Sequence, residues 1–88
     1  MYRPAIRVLD ATIRDGGLMN NSRFEDDFVR AVYRALSEAG VDYMEIGYRN
    51  SKKAYSPKDY GPWRFCDEED IRRVTEGIES KVKLAVMV

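Results

Sequence analysis

The chain has 88 residues, with fifteen Lys and Arg balancing fifteen Asp and Glu, and no histidine. That length suits one domain rather than two, and 44% hydrophobic with 34% charged residues excludes a disordered chain. A net charge of zero excludes a general electrostatic pull toward nucleic acid or anionic lipid.

Arg3, Arg7, Asp10, Arg14 and Asp15 interrupt residues 1–20, so neither a signal-peptide core nor a membrane span is expected there. Ile6 to Ala11 alternates as a strand, with Ile6, Val8, Asp10 and Thr12 on one face and Arg7, Leu9 and Ala11 on the other. The stretch RDGGLMNNS reads as a loop, loosened by Gly16-Gly17 and Asn20-Asn21. Ser22 to Glu25 fits a capping box, in which Ser22 takes a free backbone N–H and Glu25 reaches back. Phe24, Phe28, Ala31, Val32, Ala35, Leu36 and Ala39 then recur at helical spacing, and Gly40 supplies the stop.

A second strand is expected over Val41 to Tyr48, followed by a long polar and aromatic loop over 49–65. Its aromatic residues Tyr55, Tyr60, Trp63 and Phe65 suit either a substrate lid or a packed loop. Cys66 has no internal disulfide partner, which suits a reducing, cytoplasmic setting. Four acidic neighbours oppose its thiolate, so it is not read as a nucleophile. Asp67 to Asp70 opens a second helix with an apolar stripe of Ile71, Val74 and Ile78. Val82 to Val88 is a third, nearly all-apolar strand.

The β-α-β-α-β order predicts an α/β fold with a parallel sheet in the order first-second-third strand. Two helices would cover one face and leave the other bare. Strands such as LAVMV expect cover on both faces, so the unit reads as incomplete by itself, and self-association of the isolated chain is expected.

Chemistry concentrates in Leu9 to Gly17, LDATIRDGG, where a strand runs out into Arg14, Asp15 and two glycines. Arg14 is a fixed cation with a planar donor fork, suited to a carboxylate or a developing oxyanion. Asp15 is a hard oxygen ligand of the kind Mg²⁺ or Mn²⁺ takes. An ordinary Arg–Asp surface pair at a turn fits the same residues.

The run DATIRDGG resembles the first-strand signature D-x-T-L-R-D-G of the metal-dependent aldolase, lyase and Claisen-synthase superfamily. Hydroxymethylglutaryl-CoA lyase, isopropylmalate synthase and 4-hydroxy-2-oxovalerate aldolase typify that group. Asp10, Thr12, Arg14, Asp15 and Gly16 match, with Ile13 in place of Leu, and YMEIGY resembles the family's second-strand I-E-V-G. The resemblance implies that residues 1–88 are the N-terminal part of one (β/α)8 TIM-barrel catalytic domain. It implies that Arg14 stabilises the enolate of a bound oxoacid and that Asp15 binds a divalent metal. It places Glu45 beside the same site, where pairing with a core arginine is the alternative role.

The reaction so implied is cleavage of a 4-hydroxy-2-oxoacid to pyruvate and an aldehyde through a metal- and Arg-stabilised enolate. An acyl-CoA-dependent Claisen synthase and a non-catalytic fragment are the alternatives. A small oxoacid substrate, a homo-oligomer and a dehydrogenase partner are implied by the same resemblance. Two departures stand out. Leu18 occupies the position where the aldolases carry a histidine base and the synthases a glutamine. The chain also has no histidine for the family's H-x-H metal pair.

Overall fold

The computed structural model describes residues 7–88. Strand β1 (Leu9–Asp10) leads directly into helix α1 (Thr12–Asn20). Helix α2 (Asp26–Ala39), strand β2 (Tyr43–Tyr48), a 3-10 turn (Pro62–Arg64), helix α3 (Glu68–Thr75) and strand β3 (Lys83–Met87) follow. The three strands form one parallel sheet in the order β1-β2-β3, as the alternation of elements predicts. Of the first expected strand only Leu9–Asp10 is paired, and Ile6 lies outside the described residues.

Residues 12–20, expected as a loop, are helical. The Asp10 carboxylate accepts hydrogen bonds from the Thr12 N–H at 3.0 Å and the Thr12 hydroxyl at 2.9 Å, which turns the chain from strand into helix. Ile13 and Gly17, one turn apart, are buried on the inner side. Tertiary burial thus outweighs a helix penalty of about 1 kcal/mol for each of the two glycines. Asn21 and Ser22 end α1 in the left-handed region, at φ 55° and 60°.

That conformation removes the expected capping box, because an N-cap residue must be extended. The N-cap of α2 is Glu25, without a side-chain cap, and Ser22 is instead buried under α1. The helix and its Gly40 stop (φ 76°) are as read, but the stripe is shifted: Val29 and Tyr33 are the buried residues, Phe24, Val32 and Leu36 are half-buried against the core, and Phe28, Ala31, Ala35 and Ala39 are exposed. In α3 the acidic first turn is present, but the helix ends at Thr75, with Glu76 extended and Gly77 at φ 76°, before Ile78. Ile78 still packs on the core. Arg73 joins α3 to α2 through Asp26 at 2.6 Å.

One core lies between the helices and one sheet face, built from Ile13, Val29, Tyr33, Met44, Ile46, Trp63 and Val74, with Leu84 and Val86 against it. The other face carries Leu9, Tyr43, Glu45, Lys83, Ala85 and Met87, none of them buried. The strands exchange these faces at one irregularity. Glu45 pairs with Ala85, Gly47 with Val86 and Tyr48 with Met87, so Ile46 is the extra residue of a bulge. Simple alternation would set Tyr48 beside Met44 and Ile46, towards the helices. The bulge turns it to the face of Glu45. Gly47 then faces inward, where a β-carbon would collide with the Trp63 carbonyl and come within 2.8 Å of Cys66 Sγ.

Candidate functional site

Arg14 sits in the first turn of α1, just past the carboxyl end of β1. Its Nε donates to Glu45 Oε2 on β2 at 2.5 Å, and its Nη1 lies 2.6 Å from Asp15 Oδ1. The structure therefore brings Arg14, Asp15 and Glu45 together, although Glu45 is 31 residues away in the chain. Arg14 and Glu45 are mostly shielded, with side chains 20% and 17% exposed, whereas Asp15 is 62% exposed. The hydrogen bond that Arg14 donates to Glu45 is the main cause that raises the Arg14 pKa, opposed by desolvation and aided by Asp15. Arg14 thus stays a cation whose orientation is set by two carboxylates of unequal exposure. Glu45 is ion-paired with Arg14, and Asp15 offers an open carboxylate oxygen at the rim.

Asp15 fits one ligand position for a hard divalent cation. Among the described residues, no group of three or more His, Cys, Asp or Glu side chains is placed to hold a metal ion. A single carboxylate does not make a complete site.

Two further residues adjoin this group. Tyr48, delivered by the bulge, is buried on the sheet face of Glu45. The Arg64 guanidinium stacks at 4.4 Å from the Tyr48 ring, 4.8 Å from Tyr60 and 5.5 Å from Tyr55. Arg64 is buried and donates to the Gly17 carbonyl at 3.3 Å. The loop over 49–65 is thus a packed loop. Its Trp63 is wholly buried, and backbone bonds run from Gly61 N–H to the Asn21 carbonyl (2.8 Å) and from Asn50 N–H to the Arg64 carbonyl (3.0 Å). Neither Tyr48 nor Arg64 is recognisable in sequence, because a bulge leaves no mark on residue alternation. Leu18 is 64% exposed on α1 and brings no proton-transfer group to the site.

Cys66 lies outside this chemistry. It is fully buried, and burial pushes its thiol up to about 12, with Arg49 opposing and Asp70 and Asp67 adding. A thiol reagent at pH 8 should label the folded chain roughly 1,000-fold more slowly than the unfolded chain, from thiolate fractions alone. A folded-state rate matching the unfolded one would refute this. The sign for stability follows. Above the ordinary thiol value of 9.0 the unfolded chain loses this proton while the folded chain keeps it. The Cys66 contribution to stability should therefore fall as pH rises from 9 towards 12.

No protein-family model matches the chain. Named proteins do match along nearly all of it. The oxaloacetate decarboxylase of Mycobacterium tuberculosis is 36% identical over 81 residues, 92% of this chain and 24% of that protein. The 4-hydroxy-2-oxovalerate aldolase of Pelotomaculum thermopropionicum is 35% identical over 85 residues, 97% of this chain and 24% of that protein. A crystal structure from Bacteroides vulgatus, described as the N-terminal domain of a candidate aldolase, superposes with a TM-score of 0.79 at 31% identity. That match covers 94% of this chain and 26% of the other. The chain spans about a quarter of the length of the curated relatives it matches. The resemblance carried by DATIRDGG and YMEIGY is thus a relationship to proteins of these names along the whole described fold.

Proposed function

We propose that the complete protein carrying this chain is a carbon–carbon lyase that cleaves a 4-hydroxy-2-oxoacid to pyruvate and an aldehyde. Residues 1–88 would form the opening part of its barrel. The observation that carries this reading is the Arg14 guanidinium, held just past the carboxyl end of β1 by Glu45 of β2. Parallel α/β folds bind their ligands at those ends. Relatives named for aldol cleavage and for decarboxylation of an oxoacid support it.

In this reading Glu45 occupies the Nε donor of Arg14 and Asp15 its Nη1, leaving the Nη2 donors for an oxoacid oxygen. Those donors would hold the negative charge that gathers on the oxygen as the carbon–carbon bond breaks. Asp15 would contribute one carboxylate ligand to Mn²⁺ or Mg²⁺, which as a Lewis acid polarises a carbonyl. The remaining ligands would come from elsewhere in the complete protein. The exposed apolar side chains Leu9, Leu18, Met19 and Met87 give a physical reason for further protein, in the same chain or a second copy, to pack here. A dehydrogenase partner and a cytoplasmic setting rest on the resemblance and on composition.

Leu18 favours a second reading, decarboxylation of oxaloacetate. Loss of CO₂ leaves the same enolate but needs no base to take a hydroxyl proton, and Leu18 supplies none. The test is pyruvate release by the complete protein from 4-hydroxy-2-oxoacids and from oxaloacetate, with and without added Mn²⁺ or Mg²⁺. Pyruvate from the hydroxy acids is the expected result, and pyruvate from oxaloacetate alone would select the second reading. Pyruvate from neither would overturn both.

A further inference from the structure

We propose that Arg64, in its cage of Tyr48, Tyr55 and Tyr60, binds an anionic group on the aldehyde half of the substrate, a carboxylate or a phosphate. This assignment rests on the carbon–carbon lyase reading above and narrows its substrate class.

A guanidinium keeps its charge in a protein, so a buried one calls for an opposite charge and for acceptors on its N–H groups. Arg64 is 7% exposed and forms no ion pair among the described residues. Residues 1–6 contain no Asp or Glu that could supply one. Of its five N–H donors the described residues satisfy one, through the Gly17 carbonyl at 3.3 Å from Nη2, and Nε is buried without a partner. The three tyrosine rings offset part of the cost of burying the charge. They leave without an acceptor the planar donor fork, which suits two oxygens of one anion.

The cage is built by the loop itself. Tyr55 and Tyr60 pack edge to face with centroids 5.2 Å apart, and the Arg64 N–H donates to the Gly61 carbonyl at 3.1 Å.

Position assigns the end of the substrate. Gly17 lies one turn beyond Arg14 on α1, and Tyr48 lies two ladder positions, about 7 Å, beyond Glu45 on β2. Arg64 touches both, so it stands one step further along each element that holds the Arg14–Glu45 pair. Glu45 and Asp15 are both held by Arg14 and do not neutralise it. With the oxoacid end at Arg14, the group that reaches Arg64 belongs to the other half. A cation on a carboxylate that departs as CO₂ would stabilise the reactant more than the transition state. Arg64 therefore suits an anion that stays intact on the aldehyde.

The experiment uses the complete protein, its Arg64→Lys and Arg64→Met variants, and three 4-hydroxy-2-oxoacids. These release acetaldehyde, succinic semialdehyde and glycolaldehyde phosphate, and so differ in charge at the far end. Succinate and inorganic phosphate are titrated calorimetrically into the same three proteins. The wild type should favour one anionic substrate over the neutral one by roughly 100-fold in kcat/KM, and which one distinguishes carboxylate from phosphate. That ratio should fall about tenfold in Arg64→Lys, which keeps the charge but loses the fork, and further in Arg64→Met. The matching titrated anion should bind both variants at least about tenfold more weakly than wild type.

Equal kcat/KM for all three substrates in the wild type would overturn the assignment and leave the lyase reading intact. A preference kept by Arg64→Lys would also overturn it, and a loss of folding stability beside that unchanged ratio would identify a carboxylate of the protein as the partner of Arg64. If Arg64→Met does not fold, the wild-type ratio and Arg64→Lys decide. Cleavage of none of the substrates would defeat the lyase reading; anion binding weakened in Arg64→Lys would then still support an anion site at Arg64, and no anion binding would overturn that too.

Discussion

Arg14→Lys in the complete protein should lower kcat roughly 100- to 1,000-fold, the usual cost of losing one preorganised oxyanion donor. Lysine keeps the charge but cannot hold Glu45 through one edge, Asp15 through another and still present a donor to substrate. The ammonium would settle against a carboxylate, so the loss should fall on turnover more than on Mn²⁺ affinity. Asp15→Ala should act in the reverse sense. It removes the open carboxylate at the rim and should abolish the part of turnover that depends on added Mn²⁺ or Mg²⁺. Steady-state kinetics together with calorimetric Mn²⁺ titration of both variants separates the two effects. Equal losses of metal affinity in both would contradict the division of labour.

Trp63→Ala should remove about 3–5 kcal/mol of folding stability, the usual range for deleting a large buried aromatic side chain. Trp63 is wholly buried, and its carbonyl lies against Gly47 of β2. In a unit of this size such a loss takes up much of the available stability, so the variant should unfold at far lower denaturant or not fold at all. Trp63→Phe should cost much less. It keeps most of the apolar contact and deletes an indole N–H that is buried without a partner, a group whose burial itself costs about 1–3 kcal/mol. Denaturation followed by circular dichroism checks the order. A phenylalanine variant as unstable as the alanine one would show that shape at Trp63 matters more than burial.

Long periodic segments were legible in sequence because burial writes itself into spacing. Helix α2 as an element, the Gly40 stop and the parallel order of the three strands followed from that signal, although the buried positions of α2 are Val29 and Tyr33 rather than Phe28, Ala31, Ala35 and Ala39. Helix α1 escaped because Gly16-Gly17 reads as a breaker, whereas Ile13 in the core and the Asp10 carboxylate sustain the helix from outside it. Ser22 carried the right residue type for a cap but the wrong backbone, a distinction that only φ reveals. At the site, Arg14, Asp15 and Glu45 were nameable from two short motifs, and the distance between Arg14 and Glu45 was not. Tyr48 was hidden more deeply, since the bulge at Ile46 reverses the side on which counting by twos would place it.

The loop between β2 and α3 is held at both ends, by Asn50 to Arg64 at its base and by Gly61 to Asn21 across the end of α1. Its exposed lysines, Lys52, Lys53 and Lys58, all lie between those anchors. A protease cutting after any of them would sever the chain without releasing either piece. Arg64 would stay stacked on Tyr48, and Trp63 would stay in its socket. The nicked protein would migrate as two fragments once denatured and as one body before, and a break in covalent continuity would leave the neighbourhood of Arg14 unchanged.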